Sequence, residues 1–468
     1  MEGPRKSDAV AAIAATCVFT ALDAAMSPGQ ADVLATFHLS IAEYGWASAV
    51  QFLSVAILTP VIARFGDLYD KRAVTGISMA IACLGALVIA CAPTQFAYVI
   101  GQALLGAWVG GSTVAVALMA ELLPPKKQAS GQGLIQGASG VFAAAGLLGA
   151  GPVIASLGTS SLFWLPVVLV GPCVLFLVRV GRRGEGVVAR AGSHRMLDLK
   201  GAALLALMLT LFSGSMQFVL DGGWITALSI AGLAVLGAVV LPRWMRAERE
   251  HPEPLVDVQL FSRWDISCIH VMALLLGIAS TAMYVLFPML IGAASAGGAG
   301  FGSSASVVGW LLLPTGLVGF LLIPAYGVLD RHLKPSSVLA LGFGILAIAL
   351  LLPIRCHQAV WQLLVATTLF GIGMSIALTQ GVAELMRRVP EERASSASGT
   401  FFMAKTLGGA LGAQIAVAAL GASAEQSALA DLGQLALALS LAAAASVAGM
   451  ALALSMGRAP WRLRVARS

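Results

Sequence analysis

The sequence predicts an all-α polytopic membrane protein with fourteen transmembrane helices (14 TM), on three observations. Long apolar runs divide the 468 residues into fourteen stretches, each near the ~20 residues that a helix needs to cross a bilayer. Composition agrees: 59% of residues are hydrophobic, 11% are charged and the mean hydropathy is +0.90, where a soluble domain carries about 25% charge. The third observation is charge placement. With the N-terminus in the cytoplasm and a change of side at every run, all 28 Lys and Arg fall on the cytoplasmic side except Arg355, outside, and Lys405, well inside a span. Cytoplasmic loops retain Lys and Arg, so this pattern supports span count and orientation together. A membrane β-barrel would instead show alternating segments of about 10 residues.

The elements follow in order. Met1 to Asp8 is a short polar tail with Arg5 and Lys6 before the first run. It carries no small-residue cleavage site, so the first span, 9–36, is expected to be retained. Spans 43–64 and 73–92 flank a loop holding Asp67, Lys71 and Arg72. Span 95–123 carries Gln102 and Trp108 and ends near Glu121. Spans 130–157 and 160–180 follow, then a basic connection at 181–197 with Arg182, Arg183, Arg190, His194 and Arg195. Two further spans, 198–220 and 224–243, precede a second connection at 244–264. The remaining spans are 265–291, 305–329, 336–353, 360–387, 396–420 and 432–457. The 52 glycines suit helices that pack closely in lipid.

An internal repeat divides the chain. Gly45-Trp46 and Pro60 recur as Gly309-Trp310 and Pro324 at an offset of 264. Leu105-Gly106 matches Phe370-Gly371, and the loop Pro125 to Ser130 matches Pro390 to Ser395, both at 265. The reading is a six-helix bundle at 1–180, a linker with two additional helices at 181–264, and a second six-helix bundle with a cytoplasmic tail at 265–468. Parallel halves of this kind place a substrate site near the midplane between them, with access alternating by rocking.

The loop Pro60 to Arg72, with Gly66-Asp67 and Asp70-Lys71-Arg72, resembles the signature loop of the major facilitator superfamily. Leu22-Asp23 and Trp46, the stretch Pro254 to Phe261, and Lys405 with Gly408, Gly409 and Gly412 are similar to the fourteen-span drug–proton antiporter family. The resemblance implies the major-facilitator fold, two six-helix bundles plus two extra central transmembrane helices. It also implies that Asp67 holds the cytoplasmic side closed against a helix start, where a carboxylate is favoured. The sequence departs from the pattern at several places. Ala63 and Asp70 stand where the loop carries Gly, Gln102 aligns with an Arg of span four, and Ser27-Pro28-Gly29-Gln30 replaces an Asn and a Pro. The glycines of span five, ending in Gly151-Pro152, form a shifted version of an exporter motif.

Asp23 is the first proton-coupling candidate, because an ionised carboxylate mid-span is costly and such acids are functional by default. The alternative is a structural hydrogen bond to a neighbouring helix. Phe19, Asp23, Ser27 and Gln30 share one helical face. Asp32 is the second candidate, beyond the Pro28-Gly29 break; it could equally sit at the outer mouth. With Gln102 in span four, no cation is in view for Asp23. Lys405 is a cavity candidate whose alternative is snorkelling toward the cytoplasm. Gln51, Gln102 and Gln380 are further polar candidates, and Tyr284, Phe287 and Trp310 could supply an adaptable apolar wall. Each is more often packing. Phe287 falls at the repeat offset from Asp23, so the second half is expected to lack an equivalent acid. Glu121 and Glu384, near cytoplasmic helix ends, join Asp67, Lys71 and Arg72 as gating candidates.

Other chemistry is excluded. The six cysteines are scattered and the six histidines form no metal-ligand spacing, so no metal or cofactor is expected. No phosphate-binding Gly-x-x-x-x-Gly-Lys-Ser/Thr loop exists, nor any enzyme signature. The basic residues lie in short loops and form no nucleic-acid patch. The function expected is proton-coupled export of a drug or secondary metabolite from the plasma (inner) membrane, multi-pass, with both termini cytoplasmic. The partners expected are a small organic substrate, protons and lipid, with no obligate protein partner. A facilitator or proton symporter is the alternative within transport. A non-transporting sensor or scaffold would need a signalling domain, and no long soluble stretch supplies one.

Overall fold

A computed structural model describes residues 6–91, 94–122, 125–183, 223–250, 263–294, 304–322, 333–389, 394–420 and 432–458, with five isolated positions between 201 and 211. Among these residues there is no strand. The helices are α1 (Lys6–Ala25), α2 (Gln30–Phe37), α3 (Ile41–Leu68), α4 (Lys71–Cys91), α5 (Gln95–Leu105), α6 (Ala107–Leu122), α7 (Pro125–Leu157) and α8 (Ser161–Arg183). After them come α9 (Gly223–Val235), α10 (Leu241–Glu250), α11 (Trp264–Ala294), α12 (Ala305–Leu321), α13 (Pro335–Arg355), α14 (Val360–Met386), α15 (Ala394–Leu420) and α16 (Leu432–Arg458). A single π-helical stretch, Leu236–Val240, joins α9 to α10. Among the described residues, eleven helical stretches are long and apolar enough to cross a membrane, and Ala305–Val318 is a shorter apolar one. Most of the expected span 198–220 lies outside the described residues, as do Pro254 to Phe261, Pro324 and much of the 181–197 connection.

Local chemistry explains the boundaries. Pro28 and Gly29 interrupt the first run, so one expected span becomes α1 and α2. At the start of α3, the Glu43 backbone N–H donates to Ser40 Oγ (3.2 Å) and the Ser40 N–H donates to Glu43 Oε2 (2.7 Å), a reciprocal cap. Prolines lie inside α3, α7, α8, α11, α12, α13 and nowhere shorten these helices. In lipid, neighbouring helices re-satisfy the backbone that a proline frees.

Two large apolar cores form. One draws on α1 to α8 and includes Phe19, Phe37, Tyr98 and Phe163. The other draws on α11 to α16, with Leu147 of α7 added, and includes Phe287, Phe343, Phe370 and Phe401. The groups meet along α3 against α15 and α7 against α12. Trp244 of α10, whose Nε1–H donates to the Gly201 carbonyl (3.1 Å), packs with Leu53 and Ala56 of α3 and with Met403 and Leu407 of α15. The inserted helix therefore covers the α3–α15 seam.

The repeat reappears in packing. Gly146 of α7 lies so close to α1 that a Cβ there would overlap the Ala21 carbonyl; Gly412 of α15 meets the Ile278 carbonyl of α11 in the same way. Matching these contacts relates α1 to α11 by an offset of 257, not 264. Extra residues between α11 and α12 absorb the difference. The position equivalent to Asp23 is therefore Ser280, not Phe287, and it is still not an acid.

Along the α7–α12 seam the helices converge at one end. Gly309 sits against the Leu147 carbonyl and Gly151 against Ser306, whereas a Cβ on Gly316 would stand 3.8 Å from the Gly140 carbonyl. At this converged end Ser27 Oγ–H donates to the Tyr284 carbonyl (2.8 Å), linking the two groups.

Candidate functional site

Just before the Pro28-Gly29 break, the last turns of α1 pack beside α6 and meet residues of α3 and α5. A small cavity opens there, lined by Phe19, Leu22, Asp23, Met26, Gln51, Gln102, Leu105 and Trp108. Asp23 lies within a helix and is nonetheless exposed, because it borders this cavity. Gln51 Nε2–H donates to its carboxylate at 3.3 Å, a long hydrogen bond. Phe19 and Trp108 stack with ring centroids 6.3 Å apart and planes 13° from parallel. Gln102 is 2% exposed. Its amide engages the Tyr98 phenol, and Oε1 is buried without a partner. A buried acceptor in this state is costly unless something donates to it.

Lys405 enters from α15. Phe52 lies 3.4 Å from where a Gly409 Cβ would stand, so the α15 face that bears Lys405 and Gly409 packs on α3 one residue from Gln51. The Lys405 ammonium interacts electrostatically with Asp23, without a salt bridge between them. No hydrogen bond reaches the ammonium among the described residues. Sequence reasoning found both residues but left Asp23 without a cation. The charge that interacts with Asp23 is that of Lys405, on α15.

The other candidates are placed as follows. Gln30 is 2% exposed, with both amide atoms unpartnered, at the start of α2 and away from the cavity lining. Asp32, in the first turn of α2, is partly buried and does not line the cavity. Phe287 is fully buried in the second core. Tyr284 is partly buried and packs edge-on against Phe370 at 5.7 Å. Trp310 is 63% exposed, and Gln380 is buried on α14. The cavity brings together Asp23, Gln51 and Gln102, with Lys405 nearby; Tyr284, Phe287, Trp310 and Gln380 are not among its lining residues.

Charged clusters occupy helix ends remote from the cavity. Arg72 pairs with Asp70 (2.7 Å) and with Asp8 (3.5 Å), and Asp8 is only 1% exposed. The polar tail expected at the N-terminus is thus already helical and buried at Asp8. Glu384 accepts from Arg388 Nη2 (2.6 Å) and Arg387 Nη1 (3.0 Å). Arg388 Nε lies 3.7 Å from Asp265, which also pairs with Arg263 (3.0 Å). These contacts tie α14 to the start of α11. Lys71 is the first residue of α4 and is partly buried. Asp67 and Glu121 lie in α3 and α6, and their side chains are outside the described residues.

Burial opposes the charged form of Asp70, but hydrogen bonds from the Arg72 side chain and backbone, together with its charge, outweigh it and hold the carboxyl below its ordinary 3.8. A lowered folded-state value stabilises above the unfolded value and is lost as pH falls through the folded one. Between about pH 5 and pH 2, around the ordinary carboxylate range, wild-type protein is expected to lose more thermal stability than Asp70→Asn. Melting in detergent across that range checks this; equal acid loss in both would show that the pair contributes nothing.

The family model of the Major Facilitator Superfamily matches residues 10–413. The multidrug resistance protein Stp of Mycobacterium tuberculosis is 26% identical over 398 residues, 81% of this chain and 69% of Stp. The lincomycin resistance protein LmrB of Listeria innocua is 23% identical over 428 residues, 89% of this chain and 85% of LmrB. A longer MFS-type transporter of M. tuberculosis is matched over only 54% of its length. Among solved structures, an auto-inhibited POT family peptide transporter superposes with a TM-score of 0.69 at 14% identity, covering 98% of each chain. The nucleoside transporter NupG gives 0.64 at 12%, covering 97% of this chain and 100% of that one. At such identities these structures speak to the fold alone. A match over most of its length, on a helical membrane fold, places this chain in the Major Facilitator Superfamily of membrane transporters.

Proposed function

We propose that the chain is a proton-coupled antiporter of the fourteen-span drug–proton type, exporting a drug or secondary metabolite across the plasma (inner) membrane. The observation that carries this reading is Asp23: an acid within a membrane-crossing helix, bordering a cavity of amides and aromatic rings. A carboxylate so placed can accept a proton from one side and release it to the other as access alternates. The relatives named for multidrug and lincomycin resistance support the direction of transport. Both termini are cytoplasmic in this reading. The halves are 1–180 and 265–468, with 181–264 inserted between them. The converged end of α7 and α12 then faces outward, and the described state is closed to the outside. Asp67, Lys71, Arg72, Glu121 and Glu384 lie at the cytoplasmic end in this reading and are the residues that set the balance between states. Asp32 would act, if at all, at the outer mouth.

Gln102 favours a second reading, a facilitator or proton symporter, because an amide cannot take part in proton transfer as an Arg-linked acid does. Transport by purified protein in liposomes separates the two. A substrate is first found by screening in a bacterial host lacking its own pumps. Antiport requires that an imposed pH gradient drive the substrate opposite to the protons, and that an uncoupler abolish accumulation. Equilibration indifferent to the gradient would establish the facilitator, and co-directional movement the symporter.

A further inference from the structure

Two opposite charges stand at this site without touching: Asp23 lines the cavity, and Lys405 lies near it, outside its lining. Asp23 comes from α1 and Lys405 from α15, so each belongs to a different repeat. Asp23 has one long hydrogen bond, from Gln51 at 3.3 Å. Lys405 has no hydrogen bond among the described residues, although an ammonium within a membrane span needs a partner or water. The backbone there is closely packed: a Cβ on Gly277 would overlap the Lys405 carbonyl, so α11 fixes that turn of α15. On the other side of the cavity, Gln102 Oε1 is a buried acceptor with nothing donating to it.

These groups sort by charge. Asp23 and Gln102 Oε1 are both acceptors on the first repeat, and together they suit an ammonium. Lys405 is a set of donors on the second repeat and suits a carboxylate or another anion. Phe19 and Trp108, stacked on the wall beside Asp23, suit an apolar ring. A simple cation would satisfy the acceptors but face the Lys405 charge; a simple anion would face Asp23. We propose that the site takes a zwitterionic solute, its ammonium held by Asp23 and Gln102, its anionic group by Lys405, and its apolar body against Phe19 and Trp108. This rests on the cavity being the substrate site, as in the function proposed above. It adds that the ligand bridges the two repeats, so that its own two charges report whether the halves are together.

A matched set of probes tests it: ε-dansyl-lysine, a zwitterion; dansylcadaverine, which lacks the carboxylate; and Nα-acetyl-ε-dansyl-lysine, which lacks the ammonium. Binding to purified full-length protein is followed by dansyl fluorescence at one fixed pH, with no gradient. The zwitterion is expected to bind at least about tenfold more tightly than either relative. Lys405→Gln should bring ε-dansyl-lysine and dansylcadaverine within about threefold of each other, and Asp23→Asn should do the same for ε-dansyl-lysine and its acetyl derivative. Each variant is compared with itself across the probes, and the loss of one preference with survival of the other shows that the variant is folded. Equal binding of dansylcadaverine and ε-dansyl-lysine by the wild type would overturn the proposal. So would a preference unchanged in Lys405→Gln, or no saturable binding of the zwitterion. Because no proton movement enters this measurement, loss of the preference leaves antiport standing. A failure of gradient-driven transport likewise leaves these ratios untouched.

Discussion

Asp23→Asn is expected to abolish uphill transport driven by a pH gradient, reducing accumulation by at least about tenfold, the equivalent of ~1.4 kcal/mol of lost driving force. The amide is close to isosteric with the protonated acid and can still accept from Gln51, now at 3.3 Å from Asp23. Folding should therefore survive. Asparagine cannot, however, bind a proton on one side and release it on the other. Exchange of substrate for substrate, with no net proton movement, is expected to persist at a measurable rate. Liposomes loaded with substrate, with and without an imposed gradient, read both quantities on the same preparation. Undiminished accumulation by the variant would remove Asp23 from the coupling role, and Asp32 would be the next acid to test.

The second large effect is structural. Glu384 is 2% exposed and Arg388 7%, with Nη2 to Oε1 at 2.6 Å. Removing one partner of a buried pair costs about 3–5 kcal/mol, because the other charge is left without compensation. In Glu384→Ala, Asp265 remains 3.7 Å from Arg388 Nε and retains part of the attraction, so the lower end of that range, about 3 kcal/mol, is expected. Arg387, 38% exposed, can turn to water and adds little. Glu384→Ala should melt well below wild type in detergent, while Arg387→Ala should stay close to it. An unshifted melt for Glu384→Ala would mean that the α14–α11 tie is not a source of stability.

Much of this was legible in the sequence. An acid in an apolar run marks itself, which is why Asp23 stood out, and Gln51 and Gln102 did so to a lesser degree. Lys405 stood out in the same way, but its relation to Asp23 did not. That relation joins the first described helix to the last but one, and no local pattern carries it. Phe287 and Trp310 show a different limit. A helix that is apolar all round gives no stripe to separate core from lipid, so a buried ring and a 63% exposed ring read alike. The repeat offset misled at α11 because it was measured on the second helices, and extra residues between α11 and α12 shift the first. Asp8 was read as a polar tail. Its position in the first turn of a helix, where acids are favoured, was the available signal for a residue that the structure buries against Arg72. Asp70, which stood only as a departure from a glycine, is the closest partner of that same arginine.

Opposite charges on α1 and α15 also determine what membrane voltage can do to this protein. One elementary charge crossing 100 mV exchanges about 2.3 kcal/mol with the field. Asp23 and Lys405 carry opposite charges in the proposed cycle, so the field pulls them in opposing directions. Rocking of the empty protein then carries almost no net charge and is nearly blind to voltage. In the proposed cycle a proton on Asp23 would leave the Lys405 charge uncancelled, and the same motion would become electrical. A zwitterion would add one charge of each sign and leave that balance as it found it. Voltage would then bias the proton-loaded step and spare the others, making the electrical sensitivity of turnover a property of protonation and not of cargo.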